Sequence, residues 1–227
     1  MELAIGRAGI RLAYWWFWQR KRASPALQSI FDLYRRLRRA DKWTLQVELF
    51  GAKARAIGEL RSYSLSQLVV RGATPPWKGR LLYELVRSVS PKRILELGTH
   101  LGFGTMYLAA AAPQAEIHTI EASPTLATQA RRHFRLLGIQ PQLHVGLFDQ
   151  VLPRLAGPWD IVYIDGDHRG AALYQYGTLV CGQLRSGGLL ICDDIFWSAD
   201  MYAGWEALRQ ACGARHQLVG PLGLLWK

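Results

Sequence analysis

An α/β fold built on a seven-stranded, mostly parallel sheet is predicted by three features of this 227-residue chain. From residue 75 onward, short apolar runs alternate with helix-period segments. Several of those runs end in turns rich in glycine or acid, and the last two are separated only by a short Gly-Pro-Leu turn. Strands alternating with helices imply parallel pairing under helices on both faces, and a short turn implies an antiparallel edge. Half of the residues are apolar, enough for one sizeable core with an appendage.

The first 74 residues are read as that appendage, a basic, aromatic and helical extension, with residues 75–227 as the principal domain. Residues 1–78 hold 15 Lys and Arg against 5 Asp and Glu, whereas residues 79–227 hold 13 against 12. In "RLAYWWFWQRKR", Trp15, Trp16, Phe17 and Trp18 precede Arg20, Lys21 and Arg22. Arg7 and Arg11 break the apolar run too early for a spanning helix, and no small-residue cleavage site follows. Two readings stay open: an interfacial helix over residues 8–22 in peripheral contact with a membrane, or aromatics packed on the domain or on a second copy in a homodimer. "FDLYRRLRRADK" places Phe31, Leu33, Tyr34 and Leu37 at helical spacing, with arginines largely on the other face.

"PPWKGRLLYELVRSVSPKR" reads as a helix entered through prolines and left at Ser90-Pro91. Strands are then expected at 93–98, 116–121, 142–147, 160–165, 187–193, 215–219 and 222–226, and helices at 103–112, 124–137, 172–184 and 201–212. Cys181, Cys192 and Cys212 form no CxxC pair and read as ordinary thiols of a reduced, cytoplasmic protein.

In such a sheet, ligands bind beyond the carboxyl ends of the strands. The first turn, "ELGTHLGFGT", carries Gly98, Gly102 and Gly104, which permit a sharp turn and close approach of a ligand at a helix N-terminus. Its spacing is neither GxGxxG nor a phosphate loop. His100 lies inside this turn. Glu121 ends the second strand about twenty residues on, where a carboxylate accepts both hydroxyls of a ribose. Asp165 closes the fourth strand and Asp193-Asp194 the fifth, so three carboxylates converge at one edge. Such a cluster repels itself unless a hard divalent cation compensates, and Mg²⁺ or another divalent cation is the natural candidate. The alternative, Asp193 and Asp194 capping the next helix, stays open.

The E-x-G-x-x-x-G turn, Glu121 and the sheet pattern together resemble the class I methyltransferases that bind S-adenosylmethionine (SAM) on a Rossmann-like fold. The carboxylate set resembles more narrowly the metal-dependent O-methyltransferases related to catechol and macrocin-type enzymes. Segments such as "VELFGAKAR", "RILELGT", "LFDQVLPRL" and "DDIFWSADM" are similar to bacterial proteins described only as class I or O-methyltransferases. The resemblance implies a cofactor site of Glu96, Gly98, Thr99, His100, Gly102, Glu121, Ala122, Gly146, Phe148, Asp149 and Asp165, with Glu96 and Gly98 near the methionine part. It implies a metal site of Asp165, Asp193 and Asp194 and a small-molecule hydroxyl acceptor such as a phenol, a sugar or a natural-product precursor. It also implies that the extension covers the substrate or forms the dimer.

Where the catechol enzymes carry a lysine base, three residues after the first metal Asp, this chain has His168. An imidazole suits proton transfer near neutral pH, so His168 and Asp165 are the catalytic candidates, although His168 could equally serve as a hydrogen-bond donor beside the metal or as pocket wall. Asp167, Trp197 and Met201 are the substrate-contact candidates, alongside Tyr202 and Trp205, with packing inside a helix as the alternative. Two rival functions are weighed: a nucleic-acid methyltransferase using the basic extension, and a non-catalytic membrane-surface protein. The strand end IDGD is not the Asn-Pro-Pro-aromatic element of base-amine methylation, which makes nucleic acid the weaker partner.

Overall fold

The computed structural model describes residues 23–40, 44–213 and 215–227. The candidate membrane-contact segment, residues 8–22, lies outside the described residues. Helix α1 (Pro25–Leu37) is capped by Ser24, whose hydroxyl accepts the Leu27 N–H, and it buries Leu27, Ile30, Phe31, Leu33, Tyr34 and Leu37. Its arginines, Arg35 and Arg36 included, stay exposed, so the basic face is solvated while the apolar face packs on the domain.

The extension is not wholly helical. An antiparallel hairpin, β1 (Thr44–Leu49) and β2 (Glu59–Ser64), follows α1 and leads into α2 (Leu65–Gly72). The signal was a period of two: Leu45, Val47 and Leu49 alternate with polar residues, and Val47 is fully buried. A capping box between Ser64 and Gln67 then starts α2.

The domain continues as α3 (Pro76–Val89), β3 (Arg93–Leu97), α4 (Phe103–Ala111), β4 (Glu116–Glu121), α5 (Pro124–Leu137), β5 (Gln142–Val145) and the one-turn α6 (Phe148–Val151). It ends with β6 (Trp159–Ile164), α7 (Gly170–Gly182), β7 (Leu184–Cys192), α8 (Ala199–Cys212), β8 (Arg215–Val219) and β9 (Leu222–Trp226). The sheet order is β5-β4-β3-β6-β7-β9-β8. Strands β5 to β7 pair in parallel, and β9 pairs antiparallel with both β7 and β8. The seven-stranded α/β sheet with an antiparallel C-terminal edge is therefore the fold.

Order reverses between β3 and β6, because the chain leaves β3 toward β4 on one side and returns to β6 on the other; a crevice opens there, beyond the strand ends. One apolar cluster joins the sheet to α1, α3 and α4, so the extension shares the core of the domain. Phe31 and Tyr34 of α1 meet Tyr107 and Phe103 of α4 at ring distances of 6.2 and 5.3 Å. A second cluster joins the opposite face to α7 and α8.

The hairpin is fastened over the crevice at two points. Glu48 accepts hydrogen bonds from the Ser123 and Thr125 hydroxyls at the start of α5, at 2.5 and 3.1 Å. At the hairpin turn, Ala52 N–H donates to the Asp167 carbonyl at 2.8 Å. Gly51, at φ +68°, lies so close that a Cβ there would sit 2.6 Å from the Asp167 Cα. No helix among the described residues is long and apolar enough to cross a membrane.

Candidate active site

The turn after β3 is built on contact between two loops. Gly98 has φ +105°, and a Cβ on it would come within 2.2 Å of the Asp165 carbonyl oxygen; glycine alone lets the β3 and β6 turns touch. Gly102 takes the left-handed position at the start of α4. Behind the turn, Glu96 is fully buried, accepting from the Thr119 hydroxyl at 2.6 Å and from that of Thr105. Thr99 meets Thr119 at 2.5 Å. Burial pushes the Glu96 carboxyl up to about 8, against the two threonine hydrogen bonds.

That shift has a testable sign. A carboxyl whose folded pKa is raised contributes stability that is complete below its unfolded value near 4.5 and is lost as pH rises through the folded one. Relative to Glu96→Gln, which does not titrate, the protein should lose up to about 1.4 kcal/mol per pH unit between about pH 5 and 8. Urea unfolding at several pH values measures this; parallel profiles for the two proteins would contradict it.

Glu121 lies at the end of β4, 9% exposed, and accepts the His100 N–H at 2.7 Å and the Ser123 N–H at 2.9 Å. It borders a cavity of about 510 Å³, whose wall also takes in Gly98, His100, Ala122, Phe148, Asp149 and Asp165. Glu96, Thr99, Gly102 and Gly146 stand behind that wall rather than on it. Hairpin and α2 residues that the motifs did not single out, Val47, Phe50, Tyr63 and Leu68 among them, close the cavity from above.

At the acidic edge the geometry differs from the set Asp165, Asp193 and Asp194. Ligand atoms of Asp165, His168 and Asp194 all lie within 4.8 Å of one another. Asp193, 1% exposed, is turned toward α3: its Oδ2 lies 2.7 Å from the Lys78 ammonium and 2.5 Å from the Tyr163 hydroxyl. Its Oδ1 accepts the Asp194 N–H at 2.7 Å. Lys78 also reaches Asp194 at 3.3 Å. Burial, the largest influence, works against the Lys78 charge, but Asp165, Asp193 and Asp194 outweigh it and hold the ammonium protonated. Burial and the Asp165 charge push the Asp193 carboxyl up, while three donors around its oxygens hold the ionised form.

Of the proposed substrate contacts, Trp197 is half exposed with its ring 5.6 Å from that of His168. Asp167 lines the cavity and is gripped by both arms of Arg169 at 2.5 and 2.6 Å. Met201 and Trp205, 2% and 0% exposed, pack in the core, so helix packing accounts for them. Tyr202 stacks on Phe196 at 5.5 Å, outside that core. His100, Asp167, His168 and Asp194 all have positive φ, a costly conformation for side-chain-bearing residues that concentrates at functional sites.

Residues 95–195 match a family model described as a methyltransferase domain. A catechol O-methyltransferase of Mycobacterium tuberculosis is 33% identical over 129 residues, 55% of this chain and 58% of the relative. One of Niastella koreensis is 32% identical over 127 residues, 53% and 57% of the two chains. The matches therefore span a little over half the length of these relatives. Among solved structures, an O-methyltransferase of Streptomyces achromogenes in complex with SAM superposes with a TM-score of 0.64 at 19% identity, covering 96% of each chain. A methyltransferase of Podospora anserina bound to SAH gives 0.64 at 19% identity over 100% and 99%. At these identities the structures bear on the fold.

The motifs did not point to Lys78, although the sequence carried a signal for it. Lys78, Leu82 and Val86 share one stripe of α3 and are all buried, and a lysine on a buried stripe requires a buried partner.

Proposed function

We propose that this chain transfers a methyl group from SAM to a hydroxyl oxygen of a small molecule, assisted by a divalent cation. One observation carries the reading: a single cavity joins the carboxylate corner at Glu121 to the acidic edge at Asp165 and His168. The names of the catechol O-methyltransferase relatives support it and favour neither the nucleic-acid nor the non-catalytic alternative. Glu121 would accept the ribose hydroxyls and Phe148 and Asp149 would border the adenine, with Glu96 and Gly98 near the methionine part and Thr99, His100, Gly102, Ala122 and Gly146 shaping the turns around it. Asp165 and Asp194, with His168 beside them, have the donor chemistry of a divalent site.

Hairpin and α2 residues between 47 and 72 line the cavity from above, and Trp197, its ring 5.6 Å from that of His168, would border an acceptor lying against His168. SAM, when bound, would supply the methyl group to the hydroxyl oxygen and leave with its sulfur neutral. A bound cation supplies positive charge that lowers the pKa of the hydroxyl and fixes its position. The hydroxyl proton would pass to water at the cavity mouth, beside residues 165–169. The three cysteines are free thiols, in keeping with a reduced, cytoplasmic protein, and residues 8–22 are left for contact with a second copy or a membrane surface. Incubation with methyl-labelled SAM and a panel of phenols, catechols and sugars, with and without chelator, tests the reading. Labelled O-methyl product that disappears with chelator is expected; transfer to nitrogen acceptors alone, or none to any hydroxyl, would overturn it.

A further inference from the structure

We infer that the cation site consists of Asp165, His168 and Asp194, with Asp193 excluded from it, and that it prefers a first-row transition dication such as Mn²⁺ to Mg²⁺. The inference rests on the cation-assisted reading above and adds the ligand set and the class of ion. Three observations carry it. Ligands around one ion lie within about 4–5 Å of each other, and the donor atoms of Asp165, His168 and Asp194 meet that bound at 4.8 Å. Asp193 has its charge matched by Lys78 and both oxygens engaged, by Lys78 and Tyr163 on one and by the Asp194 N–H on the other. His168 holds a buried Nδ1 with no hydrogen-bond partner, an orphan of the kind that calls for explanation.

The backbone supports the same trio. Asp167, His168 and Asp194 are held at positive φ, and the hairpin turn pins the loop from outside through the Ala52 N–H on the Asp167 carbonyl. Trp197 lies against the imidazole on the open side. Lys78 lies nearer to Asp193, at 2.7 Å, than to Asp194, at 3.3 Å, and offsets the Asp193 charge, so the trio presents two carboxylates and an imidazole nitrogen. Mg²⁺ favours oxygen donors and keeps its waters, whereas an imidazole nitrogen shifts preference toward Mn²⁺, Fe²⁺ and later ions. An imidazole committed to a cation is not a free base, so the acceptor proton passes to water at the cavity mouth rather than to His168.

Pulsed electron paramagnetic resonance of the Mn²⁺-loaded full chain, paired with calorimetric titration of Mn²⁺ and Mg²⁺, tests the inference without any turnover. Coupling to an imidazole nitrogen is expected in the native protein and should vanish in His168→Gln. Mn²⁺ should bind roughly tenfold or more tightly than Mg²⁺, and His168→Gln should weaken Mn²⁺ by a similar factor while changing Mg²⁺ little. Asp193→Asn should leave the nitrogen coupling in place. Absence of nitrogen coupling in the native protein, or equal affinity for both ions unaffected by His168→Gln, would overturn it. SAM titrated into the same samples separates the two failures: no SAM binding with nitrogen coupling intact defeats the methyl-transfer reading alone, whereas SAM binding without coupling defeats the ligand set.

Discussion

Replacing Lys78 by methionine should cost about 3–5 kcal/mol of folding stability, the loss typical when one partner of a buried ion pair is removed. Lys78 is 7% exposed and its Nζ lies 2.7 Å from Asp193, whose side chain has no exposure. Methionine fills nearly the same volume as the lysine stem, so the change isolates the charge: Asp193 is left buried beside Asp165 without its counter-ion. Denaturant unfolding of Lys78→Met gives the cost. Adding Asp193→Asn in the same chain should recover a large share of it, because the stranded charge is then gone. A single variant within about 1 kcal/mol of the native protein would show that the pair does not anchor this edge.

The second large effect is on catalysis. Asp194→Asn should lower methyl transfer by about 10²–10³-fold, since loss of a ligand carboxylate forfeits several kcal/mol of charge stabilisation around the reacting oxygen. The Asp194 side chain is 35% exposed and does not line the cavity beside Glu121, so SAM affinity and stability should change little. Initial rates at saturating SAM, set beside a SAM titration, separate the two quantities. Loss of SAM binding in step with activity would mean that Asp194 serves the cofactor site.

The fold was largely legible because its signals are local: apolar runs of strand length, helical periods between them, and glycine or acid where the strands end. Glu121, Asp165 and the Gly98 turn were legible for the same reason, since the end of a parallel strand fixes which way its next residue faces the crevice. Asp193 and Asp194 mark where that logic stops. Successive strand residues face opposite sides; Ile191 joins the core on the α3 side and Cys192 the other, so Asp193 continues toward α3 and meets Lys78. Which carboxylate faces the cavity therefore depends on α3, a helix more than one hundred residues away in sequence. The hairpin over the cavity was missed because its alternation, Leu45, Val47 and Leu49, is brief and sits in a basic stretch dominated by helix-like spacing. Met201 was read as pocket wall because position after the acidic pair says nothing about rotation of α8, which buries it.

The central claim is that SAM binds in the cavity with its ribose held by Glu121. Calorimetric titration of SAM into the native protein and into Glu121→Gln tests it most directly. One site per chain is predicted, with affinity falling about 10²-fold in Glu121→Gln as charge-assisted hydrogen bonds to the ribose are weakened. Absence of SAM binding by the folded native protein, or equal affinity in the two proteins, would contradict it.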